Sequence, residues 1–120
     1  MQTKYQAGMQ AQQQAESHLT DKGYRILERN YRIRTGEVDI IAQQGSYVIF
    51  IEVKFRRGTE YGLPRESVGV TKQQRIVRTA MHYISTRNID DRDFRFDVIE
   101  VIAQGGNVQV NHIENAFDAY

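Results

Sequence analysis

The sequence of 120 residues contains no cysteine, a single proline and no long hydrophobic run. Without cysteine the chain can form no disulfide, no zinc–thiolate site and no thiol nucleophile. Its longest apolar segment, around residues 47–51, is far too short to cross a bilayer. The N-terminus also lacks the apolar stretch of a secretory signal. These absences are typical of a protein from a reducing compartment, and we expect a cytoplasmic protein without a membrane segment.

Several catalytic patterns are missing as well. The sequence has no glycine-rich phosphate loop, no dinucleotide-binding fingerprint and no Ser–His–Asp arrangement. Its three histidines, His18, His82 and His112, are scattered and lack the spacing of metal ligands. We therefore expect these histidines to be structural or surface residues.

Charge is distributed unevenly along the chain. The net charge is +1, yet residues 54–87 contain eight basic and two acidic side chains, whereas residues 88–120 contain two basic and seven acidic ones. A local basic surface can bind phosphates even in a nearly neutral protein. Two interpretations stay open. The basic segment 54–87 and the acidic segment 88–120 pair with each other, or the basic segment contacts a polyanion.

Hydrophobic periodicity predicts one α/β domain over residues 1–120, with a mixed central β-sheet flanked by helices. The expected order is helix, strand, β-hairpin, helix and two strands. The first helix is expected to end near Gly23, and the second to begin with a capping box formed by Thr71 and Gln74. A glycine-rich loop is expected between the hairpin and the second helix. The second helix is expected to bury Ile76, Val77, Ala80, Met81 and Ile84.

The predicted hairpin carries charges among its apolar residues. It reads GEVDIIAQQGSYVIFIEVKFR, residues 36–56. Side chains alternate between the two faces of a strand. Glu37 therefore shares a face with Asp39, and on the second strand Glu52 shares a face with Lys54.

The position of the turn decides whether the two strands bring their acids together. A two-residue turn at Gln44 and Gly45 places Asp39 opposite Phe50 and on the face of Glu52. A register slip of one residue would move Asp39 to the other face.

Two acids and a lysine on one face suit a specific chemistry. Carboxylates a few ångströms apart repel by ~4 kcal/mol at an effective dielectric near 20, and Mg²⁺ removes that repulsion. A lysine can orient or deprotonate an attacking water, or stabilise charge on a phosphate. Asp39, Glu52 and Lys54 thus form a minimal set for metal-assisted phosphodiester hydrolysis. On the motif alone, an exposed ion pair between Glu52 and Lys54 is the simpler interpretation.

Several separate motifs together resemble one known family. GEVDIIA, FIEVKFR, RFDVIEV and HIENAF occur in the order and spacing of the YraN-like family of uncharacterised bacterial proteins. GYRILERNYR is similar to the segment before the hairpin, so the resemblance extends from about Gly8 to Phe117. That family resembles the restriction-endonuclease-like superfamily, close to archaeal Holliday-junction resolvases. The resemblance implies a restriction-endonuclease-like fold.

In that superfamily the pattern Asp…Glu-x-Lys forms a metal-dependent nuclease centre. The resemblance implies that Asp39 and Glu52 bind Mg²⁺ or Mn²⁺ with the carbonyl of Val53, and that Lys54 is the catalytic lysine. Glu37 matches the family's Gly-Glu-x-Asp element. The implied function is metal-dependent cleavage of DNA that is branched or otherwise structured, and the likeness to resolvases implies a homodimer.

The first helix departs from the family pattern. The family has a glutamate where GMQAQQQA places Gln12, which offers a neutral oxygen but no charge. A shifted alignment would make Glu16 the substitute, one turn further along roughly the same helix face. A weaker metal site favours the first alternative function, a nucleic-acid-binding module with a degenerate site. A second alternative is a protein–protein adaptor that uses an exposed edge strand, residues 108–113.

Basic residues near the motif are candidates for contacts with a nucleic-acid backbone. Arg56 and Arg57 closely follow the catalytic lysine, and Lys72 and Arg75 lie on the helix after the glycine-rich loop. Together they are expected to bind phosphates without reading sequence. Three other features are expected to be structural: a solvated Arg78, a packed ring of Tyr61, and an internal ion pair between Arg95 and Asp97.

Overall fold

The computed structural model describes residues 2–58 and 68–119. Its elements are α1 (Lys4–Asp21), β1 (Arg25–Ile33), β2 (Gly36–Gln44), β3 (Tyr47–Arg57), α2 (Val70–Thr86), β4 (Asp93–Gln104) and β5 (Asn107–Phe117). The predicted order of helix, strand, hairpin, helix and two strands is confirmed. Tyr61 and most of the predicted glycine-rich loop lie outside the described residues.

The five strands form one mixed sheet in the order β1-β2-β3-β4-β5. β3 and β4 run parallel, and the other neighbouring strands run antiparallel. A parallel pair needs a crossover connection, and α2 lies in the connection between β3 and β4. The predicted α/β architecture, a mixed central sheet flanked by helices, is confirmed and is consistent with a restriction-endonuclease-like fold.

Helix α1 covers one face of the sheet, which we call the α1 face. It buries small residues at a spacing of four: Ala7, Ala11, Ala15 and Leu19. Alanines at that spacing let a helix lie close to a sheet, because no side chain beyond Cβ separates the two backbones. The strands contribute Ile40, Ile49, Ile51 and Ile99 to the same cluster.

Helix α2 covers the opposite face, which we call the α2 face. It buries Ile76, Thr79, Ala80 and Tyr83. The strands contribute larger side chains here, among them Ile41, Phe50, Phe96 and Val98. Alternating strand residues thus supply the two clusters, as a period of two requires. Across the described ranges, neither helix has the length and apolar character needed to span a membrane.

The ends of α1 follow its sequence. Thr3 and Gln6 form a capping box at the start, each side chain bonding the other residue's backbone. At the other end Gly23 has a φ of +87°, and the N–H of Tyr24 donates to the carbonyl of Leu19. The predicted glycine terminus is confirmed.

Helix α2 corrects two expectations. Its N-cap is Gly69, with no side-chain hydrogen bond. The capping box expected from Thr71 and Gln74 is therefore wrong, because the helix begins before Thr71. Met81 is 55% exposed, so its expected burial is also wrong. Met81 is five residues from the buried Ile76, which places it about 140° around the helix.

Candidate functional site

The regular alternation of the sheet breaks at Asp39 on β2. Ile40 packs on the α1 face, whereas Val38 packs on the α2 face. Residues two apart on a regular strand share a face, so β2 rotates between these two residues. The neighbouring strand is irregular at the same level, where Asn30 of β1 has a left-handed φ of +51°.

The break places the Asp39 carboxylate against β3. Strands β2 and β3 pair as far as Ile40 and Ile51. Beyond that point Asp39 Oδ2 accepts a hydrogen bond from the backbone N–H of Val53 at 2.8 Å. Continuing the same register by one residue puts Asp39 level with Glu52.

The turn between these strands differs from the prediction. It lies at residues 45–46, so the turn expected at residues 44–45 is wrong, as is the pairing of Asp39 with Phe50. The observed register differs from the predicted one by two residues. Because side chains repeat every two residues, this error does not change the face, and Asp39 still meets Glu52.

Glu52 is 5% exposed and has neighbours from two directions. The Asp39 side chain approaches it from β2, close enough for the two carboxyls to share a hydrogen bond when one of them is protonated, and Lys72 Nζ of α2 lies 2.6 Å from Glu52 Oε2. Lys54 follows Glu52 by two residues on β3, so the two side chains share a face of the strand. The structure therefore brings Asp39, Glu52, Lys54 and Lys72 together.

Burial and charge repulsion change the protonation of this cluster. Burial raises the pKa of Asp39 to about 8, aided by the hydrogen bond to Glu52, by its charge and by Glu37, whereas the Val53 N–H opposes the rise. When no cation is bound, the raised pKa favours a proton held by the Asp39–Glu52 pair. Burial lowers the pKa of Lys72, but Glu52 and Asp39 outweigh burial, and its pKa is raised.

The cluster fits a hard divalent cation that keeps much of its water. Within residues 2–58 and 68–119, no three His, Cys, Asp or Glu side chains converge as metal ligands. Zinc sites usually need three or four such ligands, whereas Mg²⁺ is held by one or two carboxylates plus water and phosphate. A cation would also relieve the repulsion at Asp39. The residues that would hold Mg²⁺ or Mn²⁺ are Asp39 and Glu52, with the carbonyl expected from Val53.

Gln12 and Glu16 of α1 share a cavity with Asp39 but are already paired. The cavity has a volume of about 660 Å³ and is lined by α1, β1, the start of β2 and part of β3; we call it the α1 cavity. Gln12 exchanges two hydrogen bonds with the Asn30 amide, at 3.0 and 3.2 Å. Glu16 Oε1 accepts from Arg29 Nε at 2.7 Å. Either residue would have to leave its partner to bind a cation at Asp39.

Glu37 is an electrostatic neighbour of the pair. Its Oε2 accepts hydrogen bonds from Arg32 Nε and Nη2, at 2.9 and 2.7 Å. Its charge contributes to the raised pKa of Asp39. Arg32 therefore partly offsets the negative charge of Glu37, which lies next to the candidate metal ligands.

Two of the four basic residues expected to contact nucleic acid lie beside the carboxylates. Lys72 and Arg75 line a cavity of about 540 Å³, whose wall includes Asp39 and Glu52; we call it the α2 cavity. Arg34, from the turn after β1, lines the same cavity and was not predicted. Its signal was a basic run, RIRTG, at the end of a strand and before a turn.

The other two, Arg56 and Arg57, have different surroundings. Arg56 Nε lies 2.9 Å from Glu100 Oε2, and 17% of the Arg56 side chain is exposed. The Arg57 guanidinium lies 5.9 Å from the ring centre of Phe55. Arg57 lines a smaller cavity that has no lining residue in common with the α1 and α2 cavities.

Glu100 is a buried acid that the sequence motifs did not single out. It is 2% exposed and lies beside Lys54 in the parallel pairing of β3 and β4. Besides Arg56, its carboxylate accepts from Asn111 Nδ2 at 3.3 Å. A glutamate inside VIEVI, an otherwise apolar run, was an available signal, because a strand covered on both faces must give such an acid a partner.

The expected ion pair between Arg95 and Asp97 is confirmed. Arg95 Nη2 lies 2.8 Å from Oδ2 of the fully buried Asp97. Burial raises the pKa of Asp97, but hydrogen bonds from His112 and Arg95 outweigh it, and the pKa is lowered. His112 is thus structural as expected, and His82 bonds the Tyr31 hydroxyl at 2.8 Å.

Comparison with known sequences gives consistent matches. The family model described as "Uncharacterised protein family UPF0102" matches residues 11–101. A UPF0102 protein of Alkaliphilus metalliredigens is 50% identical over 100 residues, which cover 83% of this chain and 87% of that protein. A UPF0102 protein of Syntrophus aciditrophicus is 43% identical over 92% of this chain and 87% of that protein. One of Clostridium acetobutylicum is 47% identical over 92% of this chain and 93% of that protein. These matches confirm the resemblance to the YraN-like family.

Proposed function

We propose that this chain, which belongs to the UPF0102 family, is a Mg²⁺- or Mn²⁺-dependent nuclease that hydrolyses phosphodiester bonds in DNA. The observation that carries the proposal is the meeting of Asp39 and Glu52 at the strand break, with the pKa of Asp39 raised to about 8 by burial and by Glu52. Asp39 accepts from one backbone N–H, that of Val53, whereas the structural carboxylate of Asp97 accepts from Arg95, His112 and the backbone N–H of Asn115. A cation bound by both acids accounts for their proximity.

Each residue of the cluster has a role in this proposal. Asp39 and Glu52 would hold the ion, with the carbonyl of Val53. When bound, such an ion polarises a phosphoryl oxygen and makes its bound water more acidic. Lys54 would orient the attacking water or stabilise charge on the phosphate. Lys72 would hold the Glu52 carboxylate in place through their ion pair.

The α2 cavity supports a phosphate-containing substrate. Arg34 and Arg75 are exposed and line its wall next to the carboxylates. Cationic side chains of this kind position a nucleic-acid backbone and make its binding salt-dependent, without selecting a sequence. The scissile phosphate would lie between these arginines and Asp39.

The test is cleavage of labelled DNA, offered as a four-way junction, a flap and a plain duplex, in Mg²⁺ and in Mn²⁺. Glu52→Gln removes the charge but keeps the shape, and we expect its cleavage rate to fall by about 100-fold or more. Glu28→Gln is the matched control, since Glu28 forms a surface ion pair with Arg87, and it should cut like the wild type. Equal rates for the wild type and Glu52→Gln would contradict the proposal.

Gln12 favours a second candidate, a nucleic-acid-binding module that does not cut. Its amide is neutral and bonded to Asn30, so α1 adds no charged ligand at that position. This candidate predicts DNA binding that weakens with salt and that persists in EDTA and in Glu52→Gln. Fluorescence anisotropy over a range of salt concentrations, with parallel cleavage assays, distinguishes the two functions.

A further inference from the structure

The two cavities that meet at Asp39 differ in the charge they have available. In the α2 cavity Lys72 is paired with Glu52, but Arg34 and Arg75 have no ion-pair partner among the described residues. This cavity therefore retains two free guanidinium groups next to the carboxylates, which suits phosphates.

The α1 cavity has little charge left to offer. Its arginines are neutralised within its own wall, Arg29 by Glu16 and Arg32 by Glu37. Lys4, at the start of α1, is the one lining cation that has no ion-pair partner in the described part of the chain. A second phosphate would find a weaker site here than in the α2 cavity.

The remaining wall of the α1 cavity combines apolar surface with amides. Tyr5 is 75% exposed and Met9 48% exposed, and they lie one turn apart on α1 beside the cavity. Phe55 lines the same cavity. The Gln12 and Asn30 amides, bonded to each other, supply donors and acceptors. Exposed aromatic surface next to paired amides suits a flat, uncharged ligand with hydrogen-bonding edges.

We infer that the α1 cavity binds an unpaired nucleobase of the strand whose phosphate lies at Asp39 and Glu52. The Tyr5 ring stacks on the base, and the amides of Gln12 and Asn30 face its polar edge. This inference rests on the proposed function and adds the substrate class, which is DNA with unpaired nucleotides next to the cleavage position.

The geometry supports a base on one side of Asp39 and phosphates on the other. Both cavities include Asp39, Glu37 and Arg32 in their walls, so a strand that crosses there contacts both. At about 660 Å³, the α1 cavity lies within the range of about 300–1,000 Å³ typical of small-molecule sites. Bases in a duplex are stacked and paired, so only an unpaired or extruded base can enter a side cavity.

The test measures binding without cleavage. Fluorescence anisotropy in EDTA compares a single strand of about 12 nucleotides with a blunt duplex of the same length. We expect Tyr5→Ala to weaken single-strand binding by about 5- to 150-fold, the effect of losing one base–aromatic stack, and to leave duplex binding within about twofold. Tyr5→Phe keeps the ring and should bind like the wild type. Tyr47→Ala is the control, because Tyr47 is also an exposed tyrosine but lines neither cavity.

A 2-aminopurine placed in the single strand provides a second readout. Its emission should change on binding to the wild type and to Tyr5→Phe, but not on binding to Tyr5→Ala. Equal single-strand affinity for the wild type and Tyr5→Ala overturns the inference, as does a wild type that binds no single strand. The binding assay needs neither metal nor Glu52. A positive result therefore supports the base cavity even if the cleavage assay detects no nuclease activity. If the wild type cleaves DNA with a metal and Tyr5→Ala binds the single strand as tightly as the wild type, the base cavity is refuted and the nuclease function is not.

Discussion

Replacement of Asp39 by asparagine should stabilise the metal-free protein at alkaline pH. Burial and Glu52 raise the pKa of Asp39 from 3.8 to about 8. Between those values the folded state binds more protons than the unfolded state, so the free energy of unfolding falls as pH rises. Asparagine has the same shape and no charge, and its amide oxygen can still accept the Val53 N–H. Asp39→Asn therefore avoids the free-energy cost of ionising a buried carboxyl, which the wild type incurs above about pH 4.

The size of the stabilisation by Asp39→Asn follows from the pKa of Asp39 in the unfolded and in the folded protein. A difference of about 4 between 3.8 and about 8 corresponds to a limit of about 5–6 kcal/mol, at 1.36 kcal/mol for each pH unit. Lys72, 2.6 Å from Glu52, reduces this limit. We expect about 2–3 kcal/mol of stabilisation at pH 8 and less than about 1 kcal/mol at pH 5. In a domain of 120 residues the gain at pH 8 corresponds to a rise in Tm of about 8–12 °C.

The assay is thermal and urea denaturation followed by circular dichroism, at pH 5, 6, 7 and 8 in EDTA. Asp90→Asn is the control, because Asp90 is exposed and should show no pH-dependent gain. Added Mg²⁺ should raise the Tm of the wild type at pH 8 and not that of Asp39→Asn, since binding to the folded state stabilises it. A variant that is equally destabilised at pH 5 and pH 8 would refute the account of the carboxylate pair.

Three further predictions concern other residues. Glu100→Ala removes the carboxylate that faces Arg56 inside the sheet and should lower the free energy of unfolding in urea by about 3 kcal/mol; a loss below about 1 kcal/mol would contradict its structural role. Thr3→Ala should cost about 1 kcal/mol, because it removes a capping box, whereas Thr71→Ala should cost nothing measurable by the same denaturation. Gln12→Glu should tighten Mg²⁺ binding by about tenfold in calorimetry, and unchanged binding would show that α1 contributes nothing to the cation site.

Much of the fold could be predicted because its elements obey simple periods. The small apolar residues of α1 recur every four residues, and the strand residues alternate between faces. These two periods identify the buried faces without any long-range information. The predicted turn was wrong by one residue and the register by two, yet Asp39 and Glu52 still meet, because only an odd slip changes the face. The false capping box at Thr71 shows the limit of a four-residue pattern. Gly69 already begins that helix.

The site could be predicted only in part. The acids and Lys54 are adjacent in the hairpin, so alternation alone was enough to associate them. The rotation of β2 at Asp39 places Val38 and Ile40 in different clusters, whereas regular alternation predicts one shared face. Lys72 reaches Glu52 from a different element, and its helix is placed by the crossover from β3 to β4. Glu100 pairs with Arg56 across a parallel register that the sequence does not specify.

In the proposed function Asp39 and Glu52 together bind a divalent cation. Isothermal titration of Mg²⁺ and Mn²⁺ into the wild type and into Glu52→Gln, each with and without a DNA junction, tests it most directly. We expect the wild type to bind the ion, more tightly with DNA present, and Glu52→Gln not to bind it. Equal binding by the two proteins, or no binding by the wild type in any of these conditions, would contradict it.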